Sequence, residues 1–477
     1  MALVALSMVA IISFAALAID LGSLYEAKSE AQRSADAAAL AAAQVISVSG
    51  LTGDPANGDS NWSSICGPSG TATYAAQAVA NQNLIGGKPW TTVTVLYGPG
   101  GSAPALADCN AAGSNFGVNP TVSVYVQQAS MPTFFAHVFS LIPGGTSKNS
   151  GVSATAYAEA FNASNYNGGN QASVQPRCVK PIIIPNFDPR HPIGGCSGIG
   201  CSPFLTTSSG AIYSPGMYTG SPLQGVIGER LFLQADCTPG LPACDLKFNG
   251  NLVNPPDVVT NGSYAELLYV PGAASSVTPV GIPTSGSTCS DVLTSWAQDV
   301  AGCDQSTLYQ CGVPVGNNSN YVDLSENPAT ADAQNALQCL INQGTTNTAN
   351  ASGQDTLGAY TQGTNTPAAY PFQILAGNDN PLVVNGTLTS GNQITVSSSI
   401  ITLPIYDQNT GPPLIPGGST NVTIVGFLQV FVNATDTATN GIDVTVLNVT
   451  GCGNTASATG PVAQGTSPVP VRLISPP

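Results

Sequence analysis

Residues 21–44 read LGSLYEAKSEAQRSADAAALAAAQ, directly after a stretch, MALVALSMVAIISFAALAI, that holds no charge, glycine or proline. As a helix those first nineteen residues rise about 28 Å, close to the ~30 Å hydrocarbon core of a bilayer. Residues 1–19 therefore read as a transmembrane span. A cleaved signal peptide is the competing reading, with Ala16 to Ala18 as the small-residue cleavage site, but no basic residue precedes the apolar run. Lys28 and Arg33 follow it, so the distribution of cations gives the span no clean orientation. From Leu21 to Val48 there is no proline and only Gly22 among glycines. At 100° per residue Glu26, Glu30 and Arg33 share one face, and Leu24, Ala31, Ala35, Ala38 and Ala42 lie opposite. Alanine is the best helix former, and a stripe of small side chains lets another backbone come close. The pattern predicts a rigid helical stalk over 20–47, reaching about 65 Å from Ala2 to Ser47. Its alanine stripe packs against a companion helix or against the protein's own sheet. Asp20, at the edge of the apolar run, reads either as the end of the span or as a carboxylate paired with a neighbour's cation.

Composition narrows the function. Of 477 residues only 7% are charged, with ten Lys plus Arg and a net charge of -15. No basic patch can be built to neutralise phosphates, which excludes nucleic-acid binding. The abundance of Gly, Pro, Asn, Ser and Thr fits an exported, loop-rich β protein. Twelve cysteines are present. Three pairs sit close in sequence, Cys196 with Cys201, Cys237 with Cys244, and Cys303 with Cys311, and read as disulfides that close small loops in an oxidising compartment. Cys66, Cys109, Cys178, Cys289, Cys339 and Cys452 have no local partner, and their connectivity stays open. No C-x-x-C occurs and the only histidines are His137 and His191, so no zinc site is expected.

Further along, 48–160 reads as an α+β region. A short helix is expected over Thr71–Gln82, strands over Trp90–Tyr97, Thr121–Gln127 and Val152–Glu159, and a second short helix over Thr133–Leu141, entered through Pro132. Residues 161–372 read as an irregular, cysteine-rich insertion held by cross-links, with helices in DVLTSWAQDVAGC (291–303) and ATADAQNALQCL (329–340). In 373–477 long β-branched runs return, which either complete the first sheet or build a second β layer, and the tail ending SPVPVRLISPP reads as extended and poorly packed. The fold class is α+β: a long amino-terminal helix on an antiparallel, β-rich, disulfide-braced extracytoplasmic domain, pilin-like in outline.

Catalysis finds little support. His191 lies near Asp188 in NFDPRHPIGGC, but no G-x-S-x-G elbow occurs, and the flanking prolines point to a rigid turn. His137 sits among apolar neighbours in PTFFAHVF. The GNDNP stretch around Asp379 has too few acidic ligands for an EF-hand. Sequons such as Asn261 and Asn421 arise by chance in so Asn-, Ser- and Thr-rich a chain. No cofactor, no metal and no enzymatic activity are expected.

Residues 2–44 resemble the TadG-like amino-terminal segment of Flp (Tad) pilus-assembly proteins. In that segment an apolar helix runs into a D-x-G-x-x-Y element and then into Q-x-x-A-D-A-A-A-L-A-A-A. Here the matching residues are Asp20, Gly22, Tyr25, Gln32, Ala35, Asp36, Ala37 to Ala39, Leu40 and Ala41 to Ala43. A fainter likeness extends through VNPTVSVYVQQASMPTFFAHVFSLIPGGTSKNSGVSATAYAEA, to about residue 160. Many TadG proteins also carry a von Willebrand A domain with a D-x-S-x-S metal site; DLSEN at Asp323 lacks the second serine, so none is assigned. The resemblance implies a single-pass protein of the bacterial inner membrane, with its bulk outside the cytoplasm. Its helix would pack on pilus-assembly partners through Asp20, Gly22, Tyr25, Gln32, Ala35, Asp36, Ala38, Leu40 and Ala42. A stalked adhesin or glycan-binding module and a secreted enzyme are the alternatives.

Overall fold

The structure, a computed structural model, describes residues 2–55, 62–112, 115–131, 150–165, 173–188, 203–207, 209–218, 225–235, 265–283, 289, 292, 294–306, 309–312, 319–328, 331–343, 353–358, 371–408, 414–415, 417–436, 441–452 and 462–475. Side chains at 2, 5, 6, 9, 10, 112, 150, 265, 266, 331, 436, 462 and 464 are outside that description. The helices are α1 (Ala2–Val48), α2 (Ser63–Cys66), α3 (Thr71–Gln82), α4 (Ser295–Ala301), α5 (Ala331–Leu340) and α6 (Pro381–Val384). The first strands are β1 (Thr92–Gly98), β2 (Thr121–Met131), β3 (Ser150–Ala160), β4 (Ser173–Pro176), β5 (Ile182–Pro185), β6 (Arg230–Ala235), β7 (Ala265–Pro271) and β8 (Tyr321–Asp323). The later ones are β9 (Thr356–Leu357), β10 (Ile374–Leu375), β11 (Gln393–Ile394), β12 (Ile400–Tyr406), β13 (Ser419–Asn421), β14 (Ile424–Asp436), β15 (Gly441–Gly451), β16 (Val462–Gly465) and β17 (Val471–Ile474).

Among the described residues two larger β bodies stand beside a three-stranded sheet, β11-β10-β9, and the two-stranded pairs β13-β8 and β16-β4. The first is a four-stranded antiparallel sheet in the order β1-β2-β3-β17. Its buried side alternates with period two, Val122, Val124 and Val126 on β2 beside Ala154, Ala156, Ala158 and Ala160 on β3. The carboxy-terminal half of α1 lies on this side, flanked by α3. The second is a closed six-stranded barrel in the order β12-β14-β15-β6-β7-β5. Every residue of β15 is buried, which fits a barrel strand covered on both faces.

Several expectations change here. The final residues are not loosely packed: Val471–Ile474 pairs with β3 as an edge strand of the first sheet, and Arg472 bonds Glu159 at 2.5 Å and lies 4.7 Å from the Phe161 ring centroid. Nor is 161–372 a separate insertion, because β5, β6 and β7 close the barrel with strands from 400–451. The returning β runs therefore build a second β layer rather than filling the first sheet. The short helices expected near 71–82, 295–301 and 331–340 are present. The helix expected over Thr133–Leu141 lies outside the described residues.

Among the described residues the cysteines cross the fold instead of closing small loops. Cys303 and Cys311 are each bonded, but to Cys178 and Cys452, at sequence separations of 125 and 141. Cys66 pairs with Cys109 and Cys289 with Cys339. Proximity in sequence fails as a guide because β strands bring distant residues to one place, and the bond forms between the nearest Cβ atoms. Cys196, Cys201, Cys237 and Cys244 lie outside the described residues.

Candidate functional site

The helix α1 changes character along its length. Leu3, Val4, Met8, Ile11, Ile12, Phe14, Leu17 and Ile19 are between 51% and 84% exposed. From Ala27 onward the small residues disappear from solvent: Ala27, Ala31, Ala35, Ala38, Ala39, Ala42 and Ala43 are at 0–1%. They meet Ala72, Ala76 and Ala80 of α3, also fully buried, and the alanines of β3. The stripe is thus occupied by the protein's own helix and sheet, not by a companion helix. Small on small is the physical reason, since methyl side chains allow two helix backbones and a sheet to approach at short range.

Polar contacts set the helix at fixed heights on the sheet. Lys28 donates to the Ser153 carbonyl. Gln32 bridges the Asp36 carboxylate at 2.8 Å and the Thr155 carbonyl at 3.4 Å. Because 28 to 32 tracks 153 to 155, α1 runs alongside β3 in the same direction, and residues before about 21 project beyond the start of that strand. At the other end Gly50, with φ 88°, terminates the helix in the left-handed region that glycine tolerates.

That end is plugged into the barrel by a buried polar joint. Asn448 on β15 donates to the Ser47 carbonyl at 2.6 Å and to Gln429 at 3.0 Å, and accepts from Thr52 at 2.9 Å. Asn162, just past β3, donates to the Val449 carbonyl at 2.9 Å and accepts from Thr450 at 2.7 Å. Gln429 in turn donates to Ser467 at 2.8 Å. Buried amides satisfied this way fix one geometry, because each alternative leaves a polar atom without a partner. Position along α1 is therefore transmitted rigidly to the barrel. Nothing local marks Asn448, Asn162 or Thr52 as a joint, since the three come from far apart in the chain.

The residues of the amino-terminal motif divide accordingly. Gly22 is exposed, and a Cβ there would meet nothing within 4 Å; Tyr25 is 71% exposed. Asp20 is only 4% exposed between the solvent-facing Ile19 and Leu21, and Ser23 donates to its backbone carbonyl at 2.8 Å. Gln32 and Asp36 bond each other, Ala35, Ala38 and Ala42 are core, and Leu40 packs at its edge. The motif holds the helix to its own domain from Ala27 on and leaves Gly22 and Tyr25 outward.

Elsewhere the chemistry is enclosed. Lys180, Asp299 and Tyr309 are buried beside the Cys178–Cys303 bridge. Lys180 donates to the Gly302 carbonyl, and burial lowers its pKa to about 7 against the pull of Asp299. Asp299 accepts from the Ser275 amide at 2.5 Å, and burial raises it to about 6. Burial likewise pushes Tyr309 upward, with Asp299, Asp304 and Asp323 adding to the effect. Sequence inspection missed this group because Lys180 follows a cysteine in a stretch without periodicity. It is closed to substrate. In GNDNP the neighbouring Asp355 already accepts from Gly377, from Asn380 on both oxygens and from Ser397, so its lone pairs are taken by the protein. Asp323 of DLSEN accepts from the Ser325 amide and hydroxyl at 3.0 and 2.6 Å, a local turn. Among the described residues no group of His, Cys, Asp and Glu could hold a metal ion. His137 and His191 lie outside them.

Among the described residues no helix is long and apolar enough to cross a membrane. No curated protein and no solved structure matches the chain. Residues 1–45, a range that takes in α1 from Ala2 to Val45, match the family of putative Flp pilus-assembly TadE/G-like proteins, and the chain therefore carries a Tad-type pilus-assembly segment at its amino terminus.

Proposed function

We propose that the protein is a non-enzymatic envelope component of a Tad/Flp-type pilus apparatus, held to the inner membrane by the apolar end of α1. The observation that carries the reading is the row of exposed Leu, Ile, Val, Met and Phe side chains along residues 3–19, on the helix that matches the pilus-assembly family. An apolar row of this size is costly in water and stable in lipid. The four disulfides among the described residues support placement of the sheet and barrel on the oxidising, extracytoplasmic side. Working partners meet the outward positions of the first half of the helix, Gly22 and Tyr25 included, because the alanine stripe is already filled. The barrel is the payload: rigidly joined to the helix through Asn448, it holds a fixed height above the membrane.

Deletion of the gene, with complementation, tests the role by electron microscopy of surface filaments. Filaments lost on deletion and restored by the complementing copy are expected. Normal filaments in the deletion strain would remove the pilus role and leave the anchor alone. Alkaline extraction of membranes tests the anchor separately, with the full chain expected in the pellet.

A further inference from the structure

We propose that the Cys178–Cys303 bridge is a redox latch: a dithiol reductant opens it ahead of the other described bridges, and the chain just past α4 then parts from the segment 178–180. The inference goes beyond the anchor reading and does not depend on it.

The bridge closes a short clamp. Cys178 stands on the chain entering β5, two residues ahead of Lys180, and Cys303 stands two residues past α4. Across the clamp the Cys178 amide donates to the Asp304 carbonyl at 3.0 Å, and Lys180 donates to the Gly302 carbonyl. Each side is also held from behind. The Lys180 amide donates to the Thr402 carbonyl at 2.9 Å, and Cys303 exchanges backbone bonds of 2.8 and 3.0 Å with Val280. Two separately braced segments thus meet through one covalent bond and two hydrogen bonds, and loss of the covalent bond lets them part while each keeps its own support.

The closed clamp is costly. Cys178, at φ 58°, is alone among the described cysteines in the left-handed region, where a Cβ crowds the following carbonyl. Lys180 and Asp299 are sealed from solvent, and Asp299 Oδ1 and the Tyr309 hydroxyl meet no hydrogen-bond partner among the described residues. Polar atoms buried in this way lose their hydration without recovering it. With the bridge cut, Cys178 is free to return to the favoured backbone region and water can reach Lys180 and Asp299.

Access singles the bridge out. Cys178 and Cys303 are both partly exposed. Every other described bridge has at least one buried member, Cys66 with Cys109, Cys339 or Cys452. Exchange requires a thiolate to reach a sulfur, so exposed bridges under strain yield first. The reductant's first thiolate forms a mixed disulfide with one cysteine and releases the other, and its second thiol then closes the reductant's own disulfide. Two electrons and two protons pass to the protein, leaving two thiols.

The test takes the full chain, solubilised in detergent, through a dithiothreitol series, caps free thiols with N-ethylmaleimide and locates the caps by peptide mass spectrometry. Cys178 and Cys303 are expected to be capped at a reductant concentration at least about tenfold below that needed for Cys66, Cys109, Cys339 or Cys452. At that concentration exchange of the Cys178 amide should quicken at least about fivefold, and Lys180 should become open to acetylation by acetic anhydride, with exchange in β14 and β15 unchanged. The Cys178→Ser, Cys303→Ser double variant should show both changes without reductant, which separates this bridge from every other cysteine. A bridge that yields no earlier than the buried ones overturns the latch. So does one that yields first while the Cys178 amide and Lys180 stay protected, or a double variant that shows neither change. If β14 and β15 quicken along with the clamp, the bridge braces the whole domain and the local opening is overturned.

Discussion

The two halves of α1 invert the usual relation between side-chain size and burial. From Leu3 to Ile19 the bulky apolar residues face outward, whereas from Ala27 to Ala43 the smallest ones are sealed in the core. In water one expects large apolar residues inside, because burial scales with apolar area. The inversion teaches that the halves answer to different partners. The first half leaves its apolar area outside the protein's own core. The second presents backbone to backbone, where a methyl group is the largest side chain that lets α1, α3 and β3 come together.

Four measurements would break or sharpen that contrast. Ala38→Leu forces a branched side chain into a fully buried seam and should cost about 3 kcal/mol of folding stability, at the upper end of overpacking penalties. The shift should appear in the urea midpoint, and a stability unchanged within error would mean that the seam can open. Asn448→Ala leaves the Ser47 carbonyl, the Thr52 hydroxyl and the Gln429 amide oxygen short of a partner. A loss of about 2 kcal/mol is expected, with hydrogen exchange quickening at the end of α1; protection confined to its old value would show that the joint is dispensable.

The third concerns pH and lies away from α1. Lys180 titrates at about 7 in the folded protein, chiefly through burial, against an ordinary 10.5 when unfolded. The unfolded chain then holds the extra proton between those values, so stability rises with pH from about 7 upward, and below that both states are charged and the penalty is complete. Asp299, raised by burial to about 6 from 3.8, acts in the opposite sense, lowering stability as pH climbs from about 4 to 6. Lys180→Met should abolish the alkaline rise in unfolding free energy and leave the pattern of α1 untouched; persistence of the rise would assign it to another group. The smallest effect on the fold is expected from Phe14→Ser, within about 0.5 kcal/mol, because Phe14 is 73% exposed. Its signature should be weaker retention in membranes instead, and a large drop in thermal midpoint would show that the first half packs on the domain after all.

How much of this was legible in the chain depends on the range of the interactions. The continuity of α1 over 2–48 was readable from the absence of proline and the helical spacing of Leu24, Ala31, Ala35, Ala38 and Ala42. So was the likeness of the first 45 residues to pilus-assembly proteins. The partner of the alanine stripe was not, because methyl groups fit a foreign helix and a domestic sheet equally well. The pairing of Cys303 and Cys311 misled, since the bonds to Cys178 and Cys452 cross more than a hundred residues. The strand at Val471–Ile474 was hidden because four residues carry no usable period until β3 lies beside them.

By itself, then, the amino-acid sequence determined a long helix with an uncharged apolar front, an acidic chain, and cysteines suited to an oxidising compartment. These follow from composition and local period, which need no third dimension. Only the tertiary structure decided that the alanines serve the protein's own core, that the carboxy terminus completes the first sheet, that Asn448 locks α1 to the barrel, and that Lys180 is enclosed. Each of those requires groups distant in sequence to meet, and their meeting is set by strand register and packing rather than by any one segment.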